Sequence, residues 1–496
     1  MNSRLALATL SASSLVLLAG CTVGPDYTPP SISTPPAFAS PSASETSADQ
    51  ALKVAQDPAE TARWWERLND PTLTTLIETA LARNNDVRLA VARLDESRAL
   101  LGLSRASELP SVDADAGMER SRPSENTGGP KFQIEEDDLY RAGLGATWEL
   151  DFFGRVRRGV EAARADLQAA EASIDDARVL VAAGVANAYA ELRAAQQRLA
   201  VARRAVEVRT QSLELAKARA NAGLSADLDV AQAEAEVQLR LASIPGFEAT
   251  IAQRANQLAV LLGGSSAELL QQLASPGSIP TAPPTIAVGI PADLLTRRPD
   301  LRRAERQVAA ATARIGVATG DLYPRFSLGG NFAMRAANPG DLYDLDSRAY
   351  SFGPSMTWSV FNNGRVRANI DAADARTRQA IISYEQAVLS AIRDAEDSII
   401  GLVKEQSRRA ALRRAVDADV RAVELATSLY RSGLTDMSSV LENQRRLYEA
   451  EDQLVVSELA VVQNVIASYR ALGGGWEPAT PTVPEQATPS PAAPQP

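Results

Sequence analysis

The sequence predicts an α+β membrane protein in which short transmembrane strands alternate with very long helices, laid out as a tandem internal repeat. Three observations predict it: four segments of two-residue apolar alternation, Ala-rich stretches with a seven-residue apolar period, and a self-match of the chain at an offset of 210 residues. The strands call for a β-barrel shared between chains, and the helices for a long helical assembly continuing from it.

Composition narrows the function classes. The 496 residues suffice for two to four ordinary domains. Proline is concentrated near the two ends and around 280–300, and the middle is rich in Ala, Leu, Glu and Arg, the composition of long helices. A net charge of -10 argues against a nucleic-acid partner, which needs a basic surface. Histidine is absent, which removes every mechanism and metal site that needs imidazole. The only cysteine is Cys21, so no internal disulfide or cysteine-based metal site can form. No GxxxxGK[ST] phosphate loop is present, and the expectation is a non-enzyme without cofactors.

Residues 1–21 read as a targeting segment: Arg4 is the positive flank, Leu5 to Leu18 the apolar core, and Leu18-Ala19-Gly20-Cys21 the end. Small residues before a Cys resemble the lipobox of bacterial lipoproteins, in which the Cys is diacylated and becomes the new N-terminus. Thr22, rather than Asp, follows it. By the same resemblance this does not favour inner-membrane retention and implies an outer-membrane lipid anchor, stable because several acyl chains hold it.

After residue 21 no apolar run is long enough for a transmembrane helix. A spanning chain must then use a closed β-barrel. Val112, Ala114, Ala116 and Met118 alternate with Asp113, Asp115, Gly117 and Glu119. Tyr140, Ala142, Leu144, Ala146, Trp148 and Leu150 alternate with Arg141, Gly143, Gly145, Thr147 and Glu149. Phe326, Leu328, Phe332 and Met334 alternate with Arg325, Ser327, Asn331 and Arg335, and Tyr350, Phe352, Met356, Trp358 and Val360 with Ser351, Gly353, Ser355, Thr357 and Ser359. About ten residues is the length a tilted strand needs, and Tyr140, Trp148, Tyr350 and Trp358 lie towards strand ends, where barrels place aromatic girdles. The second side of each strand is small and polar, as a lumen would be. Four strands cannot close, since about eight is the minimum. A dimer of eight or a trimer of twelve satisfies the arithmetic; an eight-stranded interior is filled by side chains, so an open duct favours twelve.

The stretch from about Arg155 to Asn221, with no internal Pro, would be roughly 100 Å long as a helix. Val160, Leu167, Ile174 and Val181 recur every seven residues, accompanied by Ala163, Ala170, Ala177 and Gly184; Leu192, Leu199, Val206 and Leu213 resume after a stutter. Such repeats pack helices side by side. Trp148 through Arg157 aligns with Trp358 through Arg367, Ala222-Gly223-Leu224 with Ser432-Gly433-Leu434, and Leu262-Gly263-Gly264 with Leu472-Gly473-Gly474, all at 210. Upstream, Asp86 and Pro110 match Asp300 and Pro324 at 214, the difference falling in a hairpin loop. Each half reads as helix, hairpin, long helix, turn, long helix.

At the two turns Gly223 and Gly433 can take the left-handed geometry that ends a helix. Ser225 or Asp227, and Asp436 or Ser439, can cap the next one, and Ser439 with Glu442 has capping-box spacing. Val440, Leu447, Leu454 and Val461 keep the apolar stripe on the second return helix. The hairpin tips 121–138 and 336–348 carry acidic residues, including Glu135 to Asp138, and read as solvated exterior loops.

Taken together, the residues resemble the TolC-like outer membrane factor family, in particular its NodT-like lipoprotein branch. The resemblance covers Cys21 to about Trp476 and rests on Cys21-Thr22-Val23-Gly24-Pro25-Asp26-Tyr27, Trp64-Trp65 with Asp70-Pro71 and Leu73, and Trp148 to Arg155. Arg297-Arg298-Pro299-Asp300, Ala304-Glu305, Tyr323-Pro324 and Gly433-Leu434 complete it. It implies a homotrimer with a twelve-stranded barrel and a twelve-helix periplasmic barrel, serving as the passive exit duct of a tripartite efflux system. The implied partners are a periplasmic membrane fusion protein and an inner-membrane resistance-nodulation-division transporter.

On this plan the chain divides into a signal peptide (1–21), an N-terminal and equatorial segment with the first helices (22–110), a first transmembrane hairpin (111–150) and a first helical hairpin (151–264). An equatorial link (265–298), a helix (299–323), a second transmembrane hairpin (324–361), a second helical hairpin (362–474) and a disordered Pro-rich tail (475–496) follow. The resemblance also implies closure at the periplasmic tips, where Gly223, Leu224, Gly433, Leu434, Thr435 and Asp436 are the candidates. Thr435 stands where the acidic residue more commonly lies, so Asp436 is either a constriction residue or a helix cap. Three carboxylates about 10 Å apart in water repel by only ~0.4 kcal/mol per pair, so packing must hold any gate. A secretion duct of the same build and a periplasmic coiled-coil scaffold are the competing readings; the lipobox and Trp64-Trp65 favour efflux.

Overall fold

A computed structural model describes residues 22–36, 38, 62–122, 124, 126, 136–283 and 291–476. The expected signal segment with Cys21, residues 39–61, most of the first hairpin tip with Glu135, residues 284–290 and the tail from 477 lie outside the described residues. The chain forms two units: residues 1–32, 91–173 and 300–387, and residues 33–90, 174–299 and 388–496.

The first unit contains one antiparallel sheet: β1 (Ser111–Ser121), β2 (Asp137–Leu150), β3 (Arg325–Ala336) and β4 (Arg348–Thr357), in the order β1-β2-β3-β4. The register puts Ala114, Leu144, Phe332 and Tyr350 in one row across all four strands, and Asp113, Gly145, Asn331 and Ser351 in the next. Because side chains alternate between faces, the apolar members of the sequence alternation that lie within the strands fall on one face and the polar members on the other. Trp358 and Val360 differ from expectation: β4 ends at Thr357, and both lie beyond it. Within the chain β4 is an edge strand, and it holds Pro354, which has no N–H to give to a ladder.

Long helices flank the hairpins. Helix α1 (Pro71–Arg83) and α2 (Asn85–Ala106) precede β1, α3 (Arg155–Asn221) follows β2, and α4 (Asp227–Leu262) returns from α3. Helix α5 (Pro299–Gly320) precedes β3, α6 (Arg365–Arg431) follows β4, and α7 (Met437–Ala471) returns from α6. Helices α3 and α6 are both 67 residues long and start 210 residues apart. None of the α3 or α7 stripe residues is exposed, which is why a seven-residue period is written there.

In the second unit a 3-10 turn (Trp64–Leu68) buries the aromatic pair: Trp64 is stacked on Tyr469 at 5.5 Å and meets Trp65 edge-on at 5.8 Å. Asp70 caps α1 by accepting from Thr72 N and Leu73 N at 2.9 and 3.1 Å, and Pro71 at N1 needs no partner. That is the physical content of the Asp70-Pro71 pair. Helix α4 runs through Pro245, followed by Gly246, against the helical expectation for both residues. Proline removes the N–H that would bond Leu241 O, and a cleft of about 440 Å³ opens there, lined by Glu191, Arg198, Phe247, Arg254 and Gln463. At the repeat offset α7 has Val455-Val456, with no such interruption.

Among the described residues no helix is long and apolar enough to cross a membrane.

Candidate functional site

Two places carry the features a conduit needs: the two-faced sheet and the helical turns. On the sheet's apolar face Leu144, Phe332 and Phe352 are 53%, 51% and 83% exposed, a contiguous patch that a water-facing surface would not sustain. The opposite face carries Asp113, Asp115, Glu119, Arg141, Glu149, Arg325 and Arg335 among glycines and serines. Arg141 lies across Gly117 and approaches Asp115 at 3.7 Å. Gly143 is required by close packing: a Cβ there would sit 2.7 Å from Ala333 Cβ and 2.8 Å from Phe332 O.

The aromatic residues gather near one end of the sheet. Trp148 Nε1 donates to Glu108 O at 2.9 Å, and Trp358 Nε1 donates to Leu322 O at 3.0 Å. The same bond is thus made in both repeats, by an indole with a wet polar end and an apolar body. Phe152 meets Phe326 edge-on at 5.3 Å and Phe153 stacks on Tyr323 at 4.6 Å. Tyr350 stacks on Phe352 at 6.5 Å, while Tyr140 pairs with Met118 and Ala336 towards the opposite end of the strands.

The helical turns are built twice to one pattern. Gly223 (φ +72°) and Gly433 (φ +76°) occupy the left-handed region. Leu224 N donates to Arg219 O and Leu434 N to Leu429 O, both at 2.9 Å; Gly223 N donates to Ala220 O and Gly433 N to Tyr430 O. This is the Schellman arrangement, satisfying the last carbonyls of each helix. Leu224 and Leu434 are left exposed, at 66% and 75%.

The starts of the return helices correct the sequence reading. Ala226, not Ser225 or Asp227, occupies the N-cap of α4 and offers no side-chain bond. At α7, Asp436 is the N-cap: its Oδ1 accepts from Ser439 N at 2.9 Å and Ser439 Oγ at 2.8 Å. Bonds from the Ser439 hydroxyl and amide hold the Asp436 carboxyl below its usual range. Ser439 is therefore a donor inside the first turn, and Glu442 makes no capping box with it; Glu442 pairs with Arg445 and Arg446, which hold its pKa down to about 2. Thr435 is half-buried beside the cap.

Sequence reasoning missed what joins the two turns. Asp229 accepts from Tyr430 Oη at 3.5 Å, the Arg219 guanidinium lies 4.8 Å over the Tyr430 ring, and Arg219 Nη1 donates to Arg431 O at 3.2 Å. Beneath them Leu213, Ala216, Ala233, Val237, Met437 and Val440 share a buried cluster with Tyr430. The repeat offset gives Tyr430 the counterpart Ala220, so a lone aromatic in an alanine's place was the available signal.

The chain is similar to known proteins over most of its length. The profile described as outer membrane efflux protein matches residues 76–264 and 290–474. Nodulation protein T of Rhizobium leguminosarum bv. trifolii is 32% identical over 466 residues, covering 93% of this chain and 96% of that one. The toluene efflux pump outer membrane protein TtgI of Pseudomonas putida is 30% identical, covering 93% and 97%. Among solved structures, the outer-membrane channel OprN superposes with a TM-score of 0.84 at 36% identity, covering 92% of this chain and all of that one.

Proposed function

The chain belongs to the outer membrane efflux protein family, and on that premise we propose that it is the passive exit duct of a tripartite efflux system, assembled as a homotrimer. The observation that carries this is the four-stranded sheet with one apolar face, one polar face and open edges at β1 and β4. Unpaired edges in a membrane cost several kcal/mol for each unsatisfied group. Pairing β4 of one copy with β1 of the next removes them, and three copies give twelve strands. The apolar face then meets lipid and the charged face the lumen, with Tyr140, Trp148, Tyr350 and Trp358 at the interfaces.

The duct would pass small toxic compounds or drugs from an inner-membrane resistance-nodulation-division pump. The exposed Leu224 and Leu434 favour the turns as the surface for a periplasmic membrane fusion protein. Gly223, Gly433, Thr435 and Asp436 would shape the periplasmic mouth, with Asp436 acting chiefly as a cap. Cys21 would carry the lipid.

The test is single-channel conductance in a planar bilayer, with the mass of the protein measured in detergent. A trimer with small, cation-preferring conductance is expected. A monomer without conductance would leave a coiled-coil lipoprotein scaffold instead.

A further inference from the structure

The segment from Thr22 to Tyr27 lies in a groove of the first unit, between the first three turns of α3 and helix α5. Val23 N donates to Phe153 O at 3.0 Å. Arg158, whose side chain is 4% exposed, reaches three groups of the segment: Nε donates to Val23 O at 3.2 Å, and Nη2 to Gly24 O at 3.4 Å and Asp26 Oδ1 at 2.6 Å. Its Nη1 pairs with Glu161 at 2.8 Å, so three of the four groups that satisfy this buried cation, two carbonyls and one carboxylate, come from the segment.

The fit requires glycine on both sides. Gly24 (φ +90°) presses on Gly316, where a Cβ would come within 2.5 Å of Gly316 Cα. Gly154 (φ +78°) receives Thr22, whose Cα lies 2.8 Å from the position of a Cβ. Tyr27 closes the far end: its ring packs on Ala165, Ala309 and Ala310, its hydroxyl donates to Glu305, and the Arg306 guanidinium lies 5.5 Å over the ring.

The other repeat has no such holder. At the 210 offset Arg158 corresponds to Ala368 and Gly154 to Gly364; at 214 Glu305 and Arg306 correspond to Val91 and Ala92, and Gly316 to Gly102. The backbone glycines persist there, but the cation and the carboxylate do not. One segment per chain is thus matched by one groove per chain: the two glycines that touch it persist in the other repeat, while Arg158, Glu305 and Arg306 do not.

We propose that this groove is a dedicated docking site for the chain's own Thr22–Tyr27 strap, and that Arg158 is the positioning residue that fixes where the lipid anchor emerges. Thr22 rests on Gly154, four residues beyond the end of β2. An anchor carried on the residue before Thr22 would thus start from a fixed point at the foot of β2 rather than from a free tether. This rests on the reading of Cys21 as acylated; the groove itself does not.

The test is the rate of chymotrypsin cleavage after Tyr27 in the purified full-length oligomer, read by mass. Arg158→Ala is expected to speed cleavage at least tenfold while the oligomer survives in detergent; an unchanged rate overturns the proposal. Asp26→Asn removes only the strap's carboxylate, so it reports even where Arg158→Ala misfolds: two- to fourfold faster cleavage is expected, and no change overturns. Glu161→Gln, which leaves every strap contact in place, should move the rate less than Asp26→Asn; a larger effect overturns the specific role of Arg158. Cys21→Ser behind a cleavable signal should keep wild-type protection, and loss of protection would mean that the membrane, not the groove, holds the strap. The intact mass of the wild-type N-terminus reports acylation separately, so a failed lipid reading and a failed groove are told apart.

Discussion

Tyr189 Oη donates to Asp70 Oδ2 at 2.8 Å, while Oδ1 of the same carboxylate caps helix α1. One side chain thus starts a helix and ties it to α3, 119 residues away. Arg193 extends the chain, donating to Tyr189 Oη at 3.1 Å and to Ser275 O at 2.8 Å. Burial pushes the Tyr189 hydroxyl above its ordinary range, so it stays a donor at any physiological pH.

Asp70→Ala should therefore cost more than a cap. Loss of the cap is about 1 kcal/mol, and the buried hydroxyl, left without an acceptor for its proton, adds about 1–3 kcal/mol. Asp70→Asn keeps the capping oxygen and should lose less. The measurement is the thermal half-life of the detergent-solubilised oligomer, with the order wild type, Asn, Ala; equal half-lives for Asn and Ala would refute the tie to Tyr189.

Arg209 offers a sharper asymmetry. It is 1% exposed, its Nη1 pairs with Glu236 at 2.6 Å, and its Nε and Nη2 have no partner among the described residues. Burial lowers its pKa, but a guanidinium stays charged. Glu236→Ala leaves that charge uncompensated and should destabilise by about 3–5 kcal/mol. Arg209→Met removes the buried charge itself, and Glu236 is a quarter exposed to water, so its cost should be the smaller. Denaturant-induced dissociation of the two variants checks the ranking.

Glycines on the sheet separate packing from conduction. Gly143→Ala forces a Cβ against Ala333 and should abolish the proposed trimer, read as its mass in detergent. Gly353→Ala meets nothing within 4 Å and should leave the oligomer intact. As Gly353 shares the polar face, Gly353→Trp should lower single-channel conductance; unchanged current would place that face outside the lumen.

The pH dependence has a definite sign. Burial pushes the Glu451 carboxyl up from its ordinary 4.5, more than the Arg204 cation pulls it down. A raised carboxyl binds its proton more tightly in the folded chain, so stability falls as pH rises from 4.5 through the folded value and is flat above it. Glu451→Gln keeps the neutral shape and should lengthen the thermal half-life at about pH 7 but not at about pH 4. The same gain at both pH values would remove the titration from the explanation.

Asp436 bears on the mouth in a limited way. Its Oδ1 is engaged twice by Ser439, and three such carboxylates repel too weakly to work a gate. Asp436→Ala should reduce cation preference and fray the first turn of α7 while changing open probability little. Tyr430→Phe, which frees Asp229, should raise open probability more. Planar-bilayer recordings of both variants decide, and the reverse order would return the gate to Asp436.

The sequence made legible what depends on near neighbours. Sheet alternation is written residue by residue, so both faces could be read before the register. The left-handed Gly223 and Gly433 were legible because glycine, lacking a Cβ, adopts that geometry without steric cost. The cap of α4 was not: Ser225 and Asp227 both look suitable, and the chain enters the helix at Ala226 between them. Pro245 inside α4 shows that tertiary packing can carry a helix past a residue that local propensity would use to end it. Pairs such as Tyr189 with Asp70 and Arg158 with Asp26 are separated by more than a hundred residues, and nothing local announces them.

The open edges at β1 and β4 have a genetic consequence. In the proposed ring of three, which would close only when every β4 edge meets a β1 edge, a subunit with one damaged edge still joins through the sound one. It then caps growth and holds its neighbours in an arc that cannot close. Edge mutations should therefore behave as dominant: with equal expression of damaged and normal chains and random mixing, about one ring in eight would be wholly normal, and drug tolerance would fall far below half. Damage to a central strand should unfold its own subunit and remain recessive.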